Sequence, residues 1–145
     1  MSGSRVSMWQ RGIQLFSLLG VMALSAPTAA TAQITSTDQD FLNSLYPFLQ
    51  SQDDLAYQTA GYIGDETNVW LAQGMCMDFR RGLDPAEGYN LLMAAAQNQM
   101  HTVPQEMQAQ ASYSVGLYGG SLMNLGAAYY CPDYQPGVEA ALRSL

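Results

Sequence analysis

His101 is the one histidine of this 145-residue chain, and there is no lysine. A hydrolase could pair His101 with Ser112 or Ser114 as nucleophile, but neither serine sits in a Gly-x-Ser-x-Gly elbow. A histidine between two helices reads more simply as surface. Asp38/Asp40, Asp53/Asp54 and Asp65/Glu66 are carboxylate pairs. A glycosidase needs two carboxylates facing each other across a cleft, and calcium needs about six oxygens. Each pair here falls at an expected helix start, where acids are favoured without any site. Met75-Cys76-Met77 is the densest sulfur cluster, and exported copper proteins use methionine thioethers. Adjacent helical residues diverge in direction, so these methionines read as core filler. Two cysteines and one histidine cannot build a Cys-rich zinc site. The absence of lysine excludes a Schiff base, and there is no EF-hand loop, P-loop or dinucleotide glycine pattern. No cofactor is expected, and the chain leans away from enzymes.

The elements that would carry a site begin after a leader. Arg5 and Arg11 form a positive start, and Gly12 to Leu24 is uncharged and mostly apolar. That run suits a signal peptide and is short for a membrane span. Pro27 breaks it, and Ala30-Thr31-Ala32 offers small residues to a signal peptidase. Residues 1–32 therefore read as a signal peptide and 33–145 as one exported helical domain. An uncleaved anchor is the alternative. No cysteine follows the apolar run for lipid attachment and no twin arginine precedes it, which favours the general secretory route into periplasm or medium.

Removing residues 1–32 takes away Arg5 and Arg11, the leader's only charges, so the formal charge moves from -7 to -9. Such an acidic chain is a poor partner for nucleic acid. Leu, Ile, Val and Phe make up about a fifth of what remains, near the composition at which charged chains fail to collapse. Ala, Tyr and Met must supply the missing apolar surface, so the core is lean. Cys76 and Cys131 offer another stabiliser. An exported protein with two cysteines most simply joins them, and closing that loop stabilises by about 4 kcal/mol. Thiol catalysis is the alternative, but it wants a neighbouring base or a Cys-x-x-Cys pair.

The fold class is all-α: a bundle of four to six helices braced by one disulfide. Valine and isoleucine are scarce and no stretch keeps a period of two. Thr37 is the expected cap of a first helix carrying Phe41, Leu42, Leu45, Phe48 and Leu49, ended or bent by Pro47. Ser51 with Asp54 reads as a capping box for a second helix, which Gly64 stops. Asp65 caps a third, with Val69, Ala72, Cys76 and Phe79 on one face and Gly82 beyond its end. Asp84-Pro85-Ala86-Glu87 is a strong start for a fourth, which continues through Tyr89, Leu92, Ala95 and Ala96. Thr102 with Gln105 opens the last long helix, ending near Tyr130 and weakened at Gly119-Gly120. Pro136 begins a short terminal helix with Val138, Ala141, Leu142 and Leu145.

Met107 to Cys131 holds no charge. It could be a membrane span, but its Gln, Ser, Asn, Gly and Tyr content is polar for a lipid-facing helix. A buried central helix is the better reading. Ser112, Gly116, Gly120 and Asn124 would let a neighbour approach closely. The domain also carries many tyrosines, too many to bury completely. Tyr113, Tyr118, Tyr130 and Tyr134 are the candidate interaction surface for an envelope or extracellular protein or glycan. The plainer alternative is that the rings pave a leucine-poor core with their hydroxyls in water.

Gly74-Met75-Cys76, the Gly-Leu-Asp-Pro turn from Gly82 to Pro85, and Ala-Tyr-Tyr-Cys-Pro from Ala128 to Pro132 together resemble a family of small exported bacterial proteins. It is the family catalogued as domain of unknown function 732. The resemblance spans about Asp38 to Tyr134, and Tyr-Cys-Pro is its most specific piece. It implies an all-helical domain in which Cys76 and Cys131 form the bridge, and it implies no reaction. The functional expectation is thus a non-enzymatic binding or interaction module of the cell envelope or medium. The alternatives are a small exported hydrolase using an acidic pair or His101, and a membrane-held protein anchored by residues 107–131.

Overall fold

Local chemistry sets where each helix begins. The computed structural model describes residues 33–145; the signal-peptide reading of residues 1–32 lies outside them. Helix α1 spans Ser36–Gln52. Thr35, not Thr37, caps it, because Asp38 stands three residues later and completes a reciprocal box. Thr35 Oγ1 accepts from the Asp38 N–H at 3.2 Å, and Asp38 Oδ2 accepts from the Thr35 N–H at 2.9 Å. Pro47 neither ends nor stops α1. Its missing N–H frees a carbonyl at exposed Asn43, where water can take it, while buried Leu45 and Leu49 pin the helix on both sides.

Helix α2 spans Asp54–Ile63 and α3 spans Asp65–Arg80. Asp53 caps α2 through the Ala56 N–H at 2.9 Å, while the Ser51 hydroxyl turns back to the Phe48 carbonyl. Gly64 ends α2 at φ 92 and itself occupies the cap position of α3, so Asp65 is already helical. At the far end of α3, Gly82 has φ 104. Its N–H reaches the Phe79 carbonyl and the Leu83 N–H reaches the Asp78 carbonyl, both at 3.0 Å. That is the paired bonding of a Schellman turn. Helix α4, Pro85–Gln99, starts as its sequence demands, with Asp84 Oδ1 accepting from Ala86 and Glu87.

Thr102 does not open the next helix. Its hydroxyl donates to the Gln99 carbonyl, and two 3-10 turns, Met100–Thr102 and Gln105–Met107, intervene. Helix α5 runs unbroken from Gln108 to Tyr130, straight through Gly119-Gly120. Tertiary packing overrides the weak propensity there, since both glycines are buried beneath side chains of other helices. A 3-10 turn, Pro132–Tyr134, leads into α6, Gln135–Arg143. Val138 is buried on α6, whereas Leu145 lies past its end and is exposed.

The described residues thus fold as six α-helices with α5 at the centre, packed against every other helix. Its missing charges follow from that position. No helix among the described residues is long and apolar enough to cross a membrane, and the span reading of 107–131 gives way to a helix enclosed by protein. The core is Phe41, Leu42, Leu45 and Leu49 of α1 with Ala56 and Ala60 of α2, Ala72 of α3, and Val115 and Leu122 of α5. Among the glycines of α5, the one that meets the backbone of another helix lies outside the Gly116–Gly120 stripe: at Gly126 a Cβ would stand 3.0 Å from Ala72 Cβ and 3.4 Å from its Cα. Gly116 and Gly120 instead receive side chains, Tyr89 on one and Leu142 on the other.

The seam between α3 and α5 is closed covalently. Cys76, one turn beyond Ala72, is joined to Cys131, with 5.7 Å between their Cα atoms and 55 residues of sequence separation. Both cysteines are buried in a small cluster with Phe79, Met123, Ala127 and Val138. In the chain-entropy account a loop of that size stabilises by about 4 kcal/mol. Replacing both cysteines with alanine should lower unfolding stability by roughly 2–5 kcal/mol. Urea unfolding followed by far-ultraviolet circular dichroism tests this, and an unchanged midpoint would contradict it.

Candidate functional site

The side chains singled out for catalysis do not converge. His101 is exposed, and its Nδ1 lies 2.9 Å from the Asn98 carbonyl one turn back. Ser114 is fully buried and gives its hydroxyl to Asp53 Oδ2 at 2.5 Å. No His/Cys/Asp/Glu group among the described residues is arranged to hold a metal. Met123 is buried, Met75, Met93, Met100 and Met107 pack against the core, and Met77 points outward.

The carboxylate pairs separate in an informative way. In each, one member reaches another helix while its neighbour is exposed. Asp53 takes Ser114 of α5, Asp65 takes the Tyr46 hydroxyl of α1 at 2.6 Å, and Asp38 is buried between α3 and α5. Asp38 Oδ1 accepts from the Tyr130 hydroxyl at 2.7 Å and from Gln73 Nε2 at 3.2 Å. Reading these acids as caps alone missed this second role. The signal that could have shown it was their number beside so many tyrosines.

Burial pushes the Asp38 carboxyl up, but the bonds from Thr35, Tyr130 and Gln73 together outweigh it and hold its pKa below the ordinary 3.8. The phenol of Tyr130 is pushed up, first by burial and then by Asp38. A carboxyl held low in the folded chain adds stability above its unfolded pKa and loses that contribution as pH falls through the folded one. Asp38→Asn should therefore be less stable at pH 7 by about 1–3 kcal/mol. It should also lose less stability than the unmodified protein between pH 7 and pH 3. Urea midpoints at the two pH values decide this, and equal losses would refute it.

The four tyrosines proposed as one surface are not one surface. Tyr113 is 58% exposed. Tyr118 is a correction: it is buried, donating to Asn68 Oδ1 at 2.6 Å. Asn68 can accept because its amide N–H₂ is turned to the Ala60 carbonyl at 2.8 Å. Burial raises the Tyr118 pKa strongly. Tyr130 is half-buried, its hydroxyl held by Asp38 and its ring centroid 5.5 Å from that of Phe41. Tyr134 lies 6.1 Å from Phe79. The alternative of tyrosines paving the core describes three of the four, with their hydroxyls bonded to protein where burial demands it.

What the structure brings together is an apolar pocket of about 260 Å³ between α3, α4 and α5. Leu71, Met75, Asp78 and Phe79 form the α3 wall, and Tyr118, Gly119, Leu122 and Met123 the α5 floor. Leu83 and the α4 residues Gly88, Leu91, Leu92 and Ala95 close it. The pocket exists because α4 is lightly seated, with Ala96 its one fully buried side chain. Gly119 matters here, since any Cβ on it would collide with Leu92 Cδ2. Gly88 similarly lets Leu83 fold in, with a Cβ standing 3.3 Å from Leu83 Cδ2. Leu91 belongs to the lining yet is 58% exposed, so apolar wall continues to the surface. A shallower hollow between α1, α4, α5 and α6 contains Asn124, whose buried Oδ1 has no hydrogen-bond partner.

Compared with protein-family models, curated proteins and solved structures, the chain matches none. The pocket must therefore be read from its own chemistry. It can exclude water around a small apolar molecule, and Asp78 is the one acidic residue of its lining. It has neither a nucleophile–base pair nor two facing carboxylates.

Proposed function

We propose that this protein is an exported, non-enzymatic binding module of the cell envelope or medium, and that its site is the pocket between α3, α4 and α5. The observation that carries the reading is the pocket's lining, apolar apart from Asp78 and continuous to the surface at Leu91. Ligand sites are concave and mostly apolar, with a few polar groups that fix orientation. A dry cavity of about 150 Å³ holds benzene, so 260 Å³ suits a molecule of roughly ten heavy atoms on the same scale. Export is supported by the leader pattern of residues 1–32 and by a disulfide, which persists in oxidising compartments. The kinship with domain of unknown function 732 is part of the same proposal and rests on Tyr-Cys-Pro at 130–132 with the upstream Cys76.

The test is binding of octan-1-ol to the mature domain, followed by the ε-methyl resonances of its methionines. Met75 and Met123 line the pocket and should shift on saturation, whereas exposed Met77 should not. Ala95→Phe, which fills the space, should suppress the shifts with the helical spectrum retained. At a hundredfold excess over Kd the ligand should stabilise by about 2.7 kcal/mol. Methionine methyls unmoved at saturation, or moved equally in all three, would end the pocket reading. The exported protein should begin at Gln33 by intact mass, and recovery of uncleaved chain would overturn the leader assignment.

A further inference from the structure

Asp78 is the one charged residue of the pocket lining. It is half-buried, and its carboxylate makes no hydrogen bond or ion pair with any described residue. Buried Asp38 and half-buried Asp53 behave differently: each accepts from a backbone N–H and from a side chain of another helix. A carboxylate partly withdrawn from water inside an apolar wall is costly unless something supplies a positive charge or a donor.

The protein has little to offer it. The described residues contain three arginines and no lysine. Arg80 is turned away, its Nη2 donating to the Tyr130 carbonyl at 2.7 Å, and Arg143 pairs with Glu139. Arg81 is exposed and not part of the lining. The field around Asp78 is negative for a second reason. Asp78 lies in the last turn of α3, at the negative end of the helix dipole. The acidic net charge of the domain adds in the same direction.

Resting on the pocket reading above, we propose that the ligand is a small amphiphilic cation: a short apolar tail carrying one protonated amine. The tail lies among Leu71, Leu92, Leu122 and Met123, and the ammonium group meets Asp78 at the end of α3. Fatty carboxylates, the other common occupants by size and tail, are disfavoured because their head would face the Asp78 carboxylate and the helix C-terminus together. The absence of a second acid around the pocket suits a single charge rather than a polyamine.

The test compares octylamine, octan-1-ol and octanoate at pH 7 by the same Met75 and Met123 methyl shifts on the disulfide-intact domain. Octylamine should bind about tenfold more tightly than octan-1-ol, because its ammonium adds an ion pair to the hydrogen bond that either head can give a carboxylate. Octanoate should be the weakest, and added salt should reduce the amine's advantage. In Asp78→Asn the amine and the alcohol should bind within about twofold of each other, and retained Met75 and Met123 shifts with the alcohol report that the pocket is intact. Equal binding of amine and carboxylate, or an amine preference that survives Asp78→Asn, overturns the proposal while leaving the pocket reading standing. Failure of octan-1-ol itself to bind overturns both.

Discussion

A buried tyrosine hydroxyl must find a partner or forfeit much of what its ring gains by burial. This domain is poor in branched aliphatics, so it packs tyrosines into and around its core, and that requirement organises the helices. Tyr118 of α5 gives its proton to Asn68 of α3, Tyr130 of α5 to Asp38 of α1, and Tyr46 of α1 to Asp65 of α3. Tyr129 and Ser44 share a further bond at 2.6 Å. Each bond joins residues distant in sequence, and each fixes one helix relative to another. Hydrogen bonds thus supply directional specificity that a lean apolar core would otherwise lack.

The same helices are then drawn together at one point. Gly126 and Ala72 bring the backbones of α5 and α3 into contact, and the Cys76–Cys131 bridge locks the seam one turn further along. The bridge constrains the unfolded chain more than it adds contacts, which suits a domain short of apolar area. With α1, α2, α3 and α5 bound so closely, the looser packing falls on α4. It enters through a glycine turn at Gly82, leaves through two 3-10 turns, and buries little of its own surface. The pocket forms beneath this helix, and Asp78 stands at the end of α3 that the turn creates.

Helix ends, the bridge and the central position of α5 were legible in the residues because their causes are local or compositional. Asp84-Pro85 caps whatever follows it, Gly64 and Gly82 accept positive φ, two cysteines have one simple pairing, and a charge-free run belongs inside. The starts of α1 and α2 shifted because neighbouring side chains competed for each cap, and α5 starts late because two 3-10 turns precede it without a side-chain cap. Thr35 prevailed through its local box with Asp38, and Asp53 is also held by Ser114 of α5, a partner that only the folded chain supplies.

The sequence by itself determined an acidic, all-helical domain with a covalent brace, since composition, capping chemistry and cysteine number act without knowledge of neighbours. Tertiary structure decided which tyrosines are inside, which acids are latches, and where space remains. Tyr118 and Tyr113 look alike in the chain, yet one faces Asn68 and the other faces solvent. Leu91, Leu92 and Gly119 become pocket residues through the angle at which α4 meets α5. Burial and cavity depend on the relative placement of helices, which is set by many weak contacts summed across the fold, and no short stretch of residues contains that sum.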